Sequence, residues 1–429
     1  MREMKASGIE WVGAMPRAWK MNTIAQIFLQ VKCKNTGLQE KNLLSLSYGK
    51  VKRKSIDTVE GLLPESFDGY NIIEKDDIVL RLTDLQNDHT SLRVGLAEER
   101  GIITSAYLTI RNRSNFCPKY LYYYLHSFDI AKGFYGMGAG VRQGLNWDGV
   151  KWLKILAPSV PEQERIAAFL DAECAEIDAV LEKTRASIEE YKKLKQAVIT
   201  QAVTKGIRGD RPMKDSGIEW IGEIPAGVPI SRVGLHFDIV LGKMLCSAPV
   251  DDNYTLESYY CAADVHFEGL SNGEKKKMWF SPDEKEQYCV KSGDLLVVEG
   301  GAGAGGCAIA ASTDVPIYIQ NSIMIVRSKG ISNIRYLRYL LECLVKKGYI
   351  DVVCNKATIP HFTKDKLANV PFIVFSQSEQ EEIAEYLNEK CAGIDALIAK
   401  KQQYLTEIET YKKSLIYEYV TGKKEVHPL

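Results

Sequence analysis

The sequence predicts an α+β protein built by tandem duplication, in which a mixed α/β domain followed by a long helix occurs twice. The two long helices are expected to pair as an antiparallel coiled coil. Three observations predict this fold. One part of the 429-residue chain repeats another, each repeat closes with an amphipathic segment of about 45 residues, and short apolar runs typical of strands precede each of these segments.

The internal repeat defines the order of the domains. Residues 4–13 recur as residues 213–222 at an offset of 209, and residues 162–167 recur as residues 379–384 at an offset of 217. Solenoid repeats have periods of about 20–50 residues, so the longer period indicates duplication of a whole domain pair. We therefore expect globular and helical regions in alternation, with the boundaries 1–157, 158–212, 213–375 and 376–429.

The helical regions are the clearest secondary-structure prediction. Ser159 and Ser376 each stand three residues before a glutamate, the S-x-x-E pattern of a helix start. A narrow apolar stripe along about 65 Å of helix needs a partner, and each helix can be the partner of the other. The alternative is that each helix packs separately on its own domain. The expected coiled-coil residues are Ile177, Leu181, Ile188 and Tyr191 in the first helix and Ile394, Ile398, Leu405 and Ile408 in the second.

The two globular regions share predicted elements but differ in their loops. Strands are expected at 77–82 and 106–111 with a helix from 119, and the second region has matching elements at 294–298, 322–327 and 335–340. After the first of these strands the sequence reads RLTDLQND at 81–88 but EGGAGAGG at 299–306. One scaffold with two loop sets is suited to the recognition of two different ligands.

Motifs for catalysis and for metal binding are absent from the sequence. Gly301, Gly303 and Gly306 match a dinucleotide fingerprint, but strand-like sequence follows them instead of a helix that could bind a pyrophosphate. The chain has no P-loop, no (Asn/Asp)-Pro-Pro-(Tyr/Phe) tetrapeptide, no C-x-x-C pair and no histidines at ligand spacing. We therefore expect a non-enzymatic protein with no catalytic residues and no metal ligands, which excludes a fused methyltransferase.

The composition indicates a cytoplasmic protein. No stretch approaches the ~18 apolar residues that span a bilayer, and the first residues lack the apolar run of a signal peptide. Ten cysteines are scattered along the chain, as expected for small buried side chains in a reducing compartment.

The net charge of zero conceals an uneven distribution. The four regions carry +6, −1, −2 and −3 in chain order. Residues 41–54 contain no acid, and their basic side chains could bind phosphates, or could simply form a solvated loop. The cations proposed for binding are Lys50, Lys52, Arg53 and Lys54. Because only one region is basic, we expect weak DNA binding by the chain alone.

Side chains able to pair with base edges lie in several predicted loops. The first globular region offers Arg81, Asp84, Gln86, Asn87, Arg142 and Gln143. Weaker candidates in the second region are Lys243, Lys356, Thr358 and His361. Trp147 and Trp152 are expected to belong to the core rather than to stack on bases.

Several motifs together resemble the specificity subunits of type I restriction–modification systems, and the likeness extends over essentially the whole chain. They are residues 8–13 with Pro16, 217–222 with Pro225, 161–167 with Ile177 and Asp178, 379–384 with Ile394 and Asp395, and the stretch 44–51. Residues 377–378 read Gln-Ser where the first copy has Val160-Pro161, a small departure at the helix start.

The resemblance implies a function and a set of partners. In this family each target-recognition domain reads one half of a bipartite site in double-stranded DNA, and the paired helices set the unread gap. Two adenine methyltransferase subunits dock on the helices, and restriction/translocase subunits join them. S-adenosylmethionine, ATP and Mg would belong to those partners, so no cofactor is expected on this chain. The rival hypothesis is a duplicated coiled-coil scaffold or adaptor without sequence-specific DNA binding.

Overall fold

The computed structural model describes residues 2–55, 66–88, 90–135, 137, 144–354 and 360–426. The chain forms two compact units, Met1–Arg185 with Gln402–Leu429, and Ala186–Lys401. Each unit contains one globular region together with part of each long helix. The predicted four-region boundaries therefore follow the sequence repeat, whereas the compact units combine segments from both repeats.

The first unit is built on the four-stranded antiparallel sheet β4-β11-β8-β9, with α2 as its longest helix besides the helix pair. Its strands are β1 Met4–Ala6, β2 Ala14–Pro16, β3 Lys20–Thr23, β4 Phe28–Gln30, β5 Leu44–Ser47, β6 Lys50–Arg53, β7 Asn71–Ile73, β8 Ile78–Leu80, β9 Val94–Leu96, β10 Gly101–Ile103, β11 Leu108–Asn112 and β12 Lys154–Ala157. Its short helices are α1 Ile24–Ile27, α2 Pro118–Ile130 and α3 Trp147–Val150. The first long helix, α4, spans Val160–Lys205.

The second unit repeats the sheet as β16-β24-β21-β22 and adds a three-stranded sheet, β20-β17-β23. Its strands are β13 Met213–Asp215, β14 Glu223–Pro225, β15 Ile230–Arg232, β16 Phe237–Leu241, β17 Thr255–Tyr260, β18 Val265–His266, β19 Gly269–Leu270, β20 Lys276–Phe280, β21 Leu295–Val298, β22 Cys307–Ile309, β23 Tyr318–Ile319, β24 Ile323–Ser328 and β25 Pro371–Ile373. Its helices are α5 Val233–His236, α6 Pro282–Tyr288, α7 Ile334–Lys346, α8 Tyr349–Val353 and α9 Lys364–Ala368, with a 3₁₀ turn at Ala262–Asp264. The second long helix, α10, spans Gln377–Val420.

The two long helices pair in antiparallel fashion within each unit. In the first unit Lys412 pairs with Asp178 at 2.6 Å, and Arg185 pairs with Glu409 at 2.6 Å. In the second unit Lys195 pairs with Asp395 at 2.7 Å. Residue numbers rise along α4 as they fall along α10, which confirms the predicted coiled coil.

The predicted seam of the coiled coil lies inside the helix pair. Its eight residues are buried or half-buried, among them Leu181, Ile188 and Leu405. Two residues that continue the same periodic pattern, Leu194 and Tyr411, are instead exposed. The apolar periodicity thus predicts which face of the helix packs against its partner, but it does not predict that every residue on that face is buried.

A buried tyrosine anchors each globular region to the end of one long helix. The Tyr120 hydroxyl donates to the carbonyls of Leu156 (3.0 Å) and Val420 (3.3 Å). The Tyr336 hydroxyl donates to the carbonyls of Val203 (3.0 Å) and Ile373 (3.2 Å) in the second unit. Burial raises the pKa of both phenols well above the usual value, so each hydroxyl keeps the proton that it donates.

The repeated Glu-Gln motif at the helix starts has a structural role. The fully buried Gln163 accepts from the Cys117 backbone N–H (3.0 Å), which caps α2. Gln380 likewise accepts from the Asn333 N–H (2.8 Å) ahead of α7. Glu162 pairs with Arg2 (2.5 Å), and Glu379 pairs with Arg211 at the equivalent place. These glutamates therefore join the residues before the β1–β2 and β13–β14 hairpins to the starts of α4 and α10.

Both central sheets also carry the same arginine–aspartate ion pair, in which the carboxylate is buried and the guanidinium is partly exposed. Arg111 donates through two nitrogens to both oxygens of Asp77, each at 2.7 Å. Arg327 does the same to Asp294 at 2.8 and 2.7 Å. A bidentate geometry offsets the cost of burying the carboxylates. The duplication therefore extends to individual polar contacts of the core.

Candidate nucleic-acid interface

A buried arginine shapes the loop 81–88 of the first unit. Arg93 is fully buried at the start of the β9 segment. Its guanidinium donates to the carbonyls of Arg81 (3.1 Å) and Thr83 (2.9 Å) and also reaches those of Asp84 and Asp88. Since one side chain satisfies four carbonyls, the loop has a fixed course although it contains no regular secondary structure.

The predicted base-contact residues Arg81, Asp84, Gln86 and Asn87 lie in the loop that Arg93 holds in place. Asp84 has a left-handed backbone, with φ of +56°, and its carboxylate accepts from the Asn87 amide at 2.8 Å. Gln86 and Asn87 are exposed, whereas Arg81 is half-buried with Asp88 at 3.6 Å. Hydrogen bonds from Ser91 lower the pKa of Asp88, so its carboxylate stays ionised beside Arg81.

Two further segments adjoin the loop. The Leu145 N–H donates to the Leu82 carbonyl at 2.8 Å, which brings the segment before α3 against it. The turn between β5 and β6 also comes close, since a Cβ at Gly49 would be 3.1 Å from Leu92. The β5–β6 turn and residues 144–146 therefore each adjoin the segment formed by residues 81–88 and 90–92, and we call these three stretches the first-unit surface.

The acid-free segment 41–54 differs from its prediction as a loop. It forms the β5–β6 hairpin, with only residues 48 and 49 in the turn. Acids from elsewhere in the chain reach its cations, because Arg53 forms a bidentate pair with Glu99, and Lys50 lies 3.6 Å from Asp178. Lys52 is exposed and has no ion-pair partner among the described residues, and Lys54 is half-buried. A segment without acidic residues in its sequence can therefore still have acidic neighbours in the folded structure.

In the second unit the glycine-rich loop 299–306 is held by backbone contacts instead of a side chain. The Gly305 N–H donates to the Val298 carbonyl (2.9 Å), and the Gly301 N–H donates to that of Pro360 (3.1 Å). Gly301 and Gly305 have φ of +86° and +81°, which only glycine adopts readily. The loop continues into strand β22, as predicted, rather than into a phosphate-binding helix.

The predicted contact residues of the second region have different outcomes. His361 is exposed and its Nδ1 lies 3.2 Å from the Glu299 carboxylate, beside the glycine loop. Lys243 is not a surface cation, because its side chain is only 10% exposed and pairs with Glu284 between the rings of Tyr254 and Phe280. Its assignment as a DNA contact stays a prediction, for an ammonium group that is already paired inside the unit. Four other predicted residues, Arg142, Gln143, Lys356 and Thr358, lie outside the described residues.

The structure adds polar residues that the sequence analysis did not single out. Gln320, Asn321 and Ser322 form the turn before β24, joined by hydrogen bonds of 2.7 Å and 2.5 Å. The turn contacts Lys243 and the glycine-rich loop 299–306. The Asn321 N–H donates to the Lys243 carbonyl, and the Glu299 N–H donates to the Ser322 carbonyl, each at 2.8 Å. A Gln-Asn-Ser run between two apolar strands was the available signal.

Tryptophan exposure corrects one further expectation. Trp147 packs against the core as predicted. Trp152 is 68% exposed, with the Lys151 ammonium 5.6 Å from its ring centroid. It is therefore a surface residue, and its side chain does not contribute to the core.

Two buried ionisable groups lie beneath the first-unit surface. Burial lowers the pKa of His126 to about 4, and its Nδ1 has no hydrogen-bond partner among the described atoms. Burial raises the pKa of Asp129 to about 6, against the opposing effect of the Arg93 N–H that it accepts at 2.6 Å. Both groups are on α2, and their shifts arise from desolvation rather than from a catalytic pairing.

Within the described part of the chain, His, Cys, Asp and Glu side chains form no group of three or more that could hold a metal ion. None of the helices in that part combines the length and the apolar character needed to cross a membrane.

Comparison with known proteins supports the family predicted from the sequence. Residues 268–407 match the family model described as the type I restriction modification DNA specificity domain. None of the curated proteins compared with the sequence matches it significantly.

Two solved structures have similar folds over almost the entire chain. One is a chain from a structure described as the structural basis underlying complex assembly and conformational transition of the type I R-M system, with a TM-score of 0.72, 17% identity, and coverage of 96% of this chain and 99% of that chain. The other is the HsdS subunit from Thermoanaerobacter tengcongensis, with a TM-score of 0.53, 16% identity, and coverage of 96% and 98%.

The family match and the shared fold confirm both the predicted α+β duplication and the resemblance stated above. Residues 268–407 are thus similar to the type I restriction modification DNA specificity domain, and nearly the whole chain shares the fold of the HsdS subunit from Thermoanaerobacter tengcongensis.

Proposed function

We propose that this chain is the DNA-reading subunit of a type I restriction–modification complex, and that each globular region reads one half of a bipartite target in double-stranded DNA. One observation carries the proposal. The two units share a sheet, a tyrosine that anchors the helix and an arginine–aspartate ion pair, yet their equivalent loops are built differently. Arg93 frames a loop of charged and amide side chains in one unit, and glycine backbone forms the other.

The paired helices are proposed to set the distance between the two half-sites and to dock two adenine methyltransferase subunits. Their antiparallel ion pairs and buried apolar seam support a stiff spacer. Restriction/translocase subunits would complete the assembly. S-adenosylmethionine, ATP and Mg would then be bound by these partners, and the complex would act in the cytoplasm as an adenine methyltransferase and ATP-dependent endonuclease.

The proposal that each region reads its half-site independently is tested by exchange of a single recognition region. Residues 17–157 are replaced by the corresponding region of a specificity subunit with a different target, and the chain is co-expressed with its methyltransferase. Methylome sequencing should show one changed half-site and one unchanged half-site, and exchange of residues 226–373 should show the converse. A change in both half-sites after either exchange would contradict independent reading, and the absence of any methylated motif would favour the scaffold hypothesis.

A further inference from the structure

The tip of the β5–β6 hairpin presents an aromatic side chain that the fold does not use. Tyr48 is 88% exposed, the highest exposure among the large apolar side chains of the described residues. Tyr48 and Gly49 form the two-residue turn after the last strand pair, Ser47 with Lys50. Both residues have positive φ, +48° and +74°.

A tyrosine is unfavourable in the left-handed backbone conformation of this position. Two-residue turns with two positive φ values favour Asn-Gly or Asp-Gly, because bulky side chains are strained there. Gly49 fits this rule, and a Cβ at that position would crowd Leu92 and His126. Tyr48 does not fit it, so an aromatic ring is kept at the tip at a cost to local stability.

Contacts with the rest of the first unit hold the hairpin that carries this ring. The Gly49 carbonyl accepts from the Tyr122 hydroxyl at 3.5 Å. Leu46 and Val51 pack on β9 so closely that a Cβ at Gly95 would lie 2.4 Å from the Leu46 Cδ1. Tyr48 therefore projects from a hairpin that is packed on β9 and whose turn lies close to Leu92.

The outer face of the hairpin has the chemistry of a phosphate-binding surface. Ser45, Ser47, Lys50 and Lys52 alternate with the inward-facing residues, so the hydroxyls and ammonium groups share one face. Lys50 is exposed and lies 3.6 Å from the half-buried Asp178, which pairs more closely with Lys412 at 2.6 Å, so the contact with Lys50 contributes little. Cations and hydroxyls around an aromatic ring are complementary to the phosphates and bases of duplex DNA.

We propose that Tyr48 is a DNA-contacting residue of the first half-site, with its ring in a groove of the duplex against the bases and with Lys50 and Lys52 on the flanking phosphates. This inference rests on the proposed function, because it names one contact of the proposed reading surface. It assigns to the ring a role in affinity that is separate from the base-edge pairing proposed for Gln86 and Asn87.

The decisive variant is Tyr48→Asn, since stability and binding should change in opposite directions. Asparagine suits the left-handed turn, so the thermal midpoint should rise by about 1–3 °C. Loss of the ring should weaken binding by about five- to hundredfold, the range for loss of one aromatic contact with a base. Tyr48→Phe keeps the ring and should remain within about twofold of the wild type.

The probe is a duplex oligonucleotide that carries the methylated motif found for the wild type, bound by the chain purified with its methyltransferase. Tyr48→Asn should leave the salt dependence of binding unchanged, whereas Lys52→Ala should reduce its logarithmic slope by about one. Tyr404→Ala on α10 is the control for an exposed tyrosine elsewhere and should bind as the wild type does.

Three outcomes separate the inference from its alternatives. Wild-type affinity for Tyr48→Asn overturns the inference while leaving the proposed function intact. Loss of the methyltransferase from the Tyr48→Asn complex on gel filtration also overturns it, because the ring would then be a protein contact. A wild-type complex that shows no preference for any motif refutes the proposed function itself, and the inference with it.

Discussion

Replacement of Arg93 by methionine should destabilise the first unit and abolish reading of the first half-site. The side chain is fully buried and donates to the Tyr135 hydroxyl as well as to four carbonyls of loop 81–88. Methionine fills much of the same volume but cannot donate. The carbonyls of Arg81 and Thr83 would therefore lose their partner inside the protein.

The contacts set the size of the effect. Loss of hydrogen bonds to a charged donor costs about 1.5–3 kcal/mol each, and removal of one partner from a buried polar network costs about 3–5 kcal/mol in total because the terms are not additive. We expect a loss of about 4 kcal/mol from the free energy of unfolding. For a unit of this size, that corresponds to a fall of about 10 °C in the thermal midpoint.

The assay combines thermal unfolding with methylome sequencing of cells that co-express the variant and the methyltransferase. Arg100→Met is the matched control, since Arg100 is exposed and pairs with Glu40 and Glu74 at the surface. It should cost less than about 1 kcal/mol. Arg93→Met should lose methylation that depends on the first half-site. If it instead unfolds at the wild-type midpoint and methylates the wild-type motif, the loop does not depend on this arginine and the reasoning is refuted.

Three further predictions follow from other contacts. Leu181→Ala or Leu405→Ala should each lower the free energy of unfolding by about 2–5 kcal/mol in denaturant titrations, whereas Leu194→Ala should stay within about 0.5 kcal/mol; equal effects would contradict the observed seam. His126 has a pKa of 6.5 when unfolded and about 4 when folded, so the free energy of unfolding should fall as pH falls from 6.5 to 4. Asp129, with a raised pKa of about 6 in the folded state, should increase the free energy of unfolding as pH falls from about 6 to 3.8. His126→Gln should therefore reduce the acid-induced loss of stability, and an unchanged pH profile would exclude this role. Asn321→Ala should alter only the second half-site in the methylome, and a change in the first would argue against the turn before β24 as a reading element.

Local patterns explain why much of the fold could be predicted. The long helices and the sheet strands follow from apolar periods of 3.6 and 2 residues, which neighbouring residues determine. The two matched stripes predict that the long helices pair, whereas the antiparallel direction is seen in the ion pairs between them. The repeated Glu-Gln motif was recognisable as a repeat, but its role required the structure, because Gln163 caps a helix that begins 45 residues earlier in the chain.

Sequence reasoning missed ion-pair partners of the candidate site that are distant in sequence. The Lys243 side chain is only 10% exposed and pairs with Glu284, 41 residues away. Arg53 is paired with Glu99, 46 residues away. Arg93 was not singled out because nothing in its neighbourhood signals that loop carbonyls will converge on it. Charge counts along a sequence therefore located the basic region but not the cations that remain exposed.

The most direct measurement is methylome sequencing of cells that express this chain with its methyltransferase, compared with cells that lack this chain. Two recognition regions with unlike loops on one helix pair predict a methylated adenine motif in two specific parts, separated by a gap of fixed length whose bases are not read. A motif without a gap, a gap of variable length, or methylation that does not depend on this chain would contradict the account.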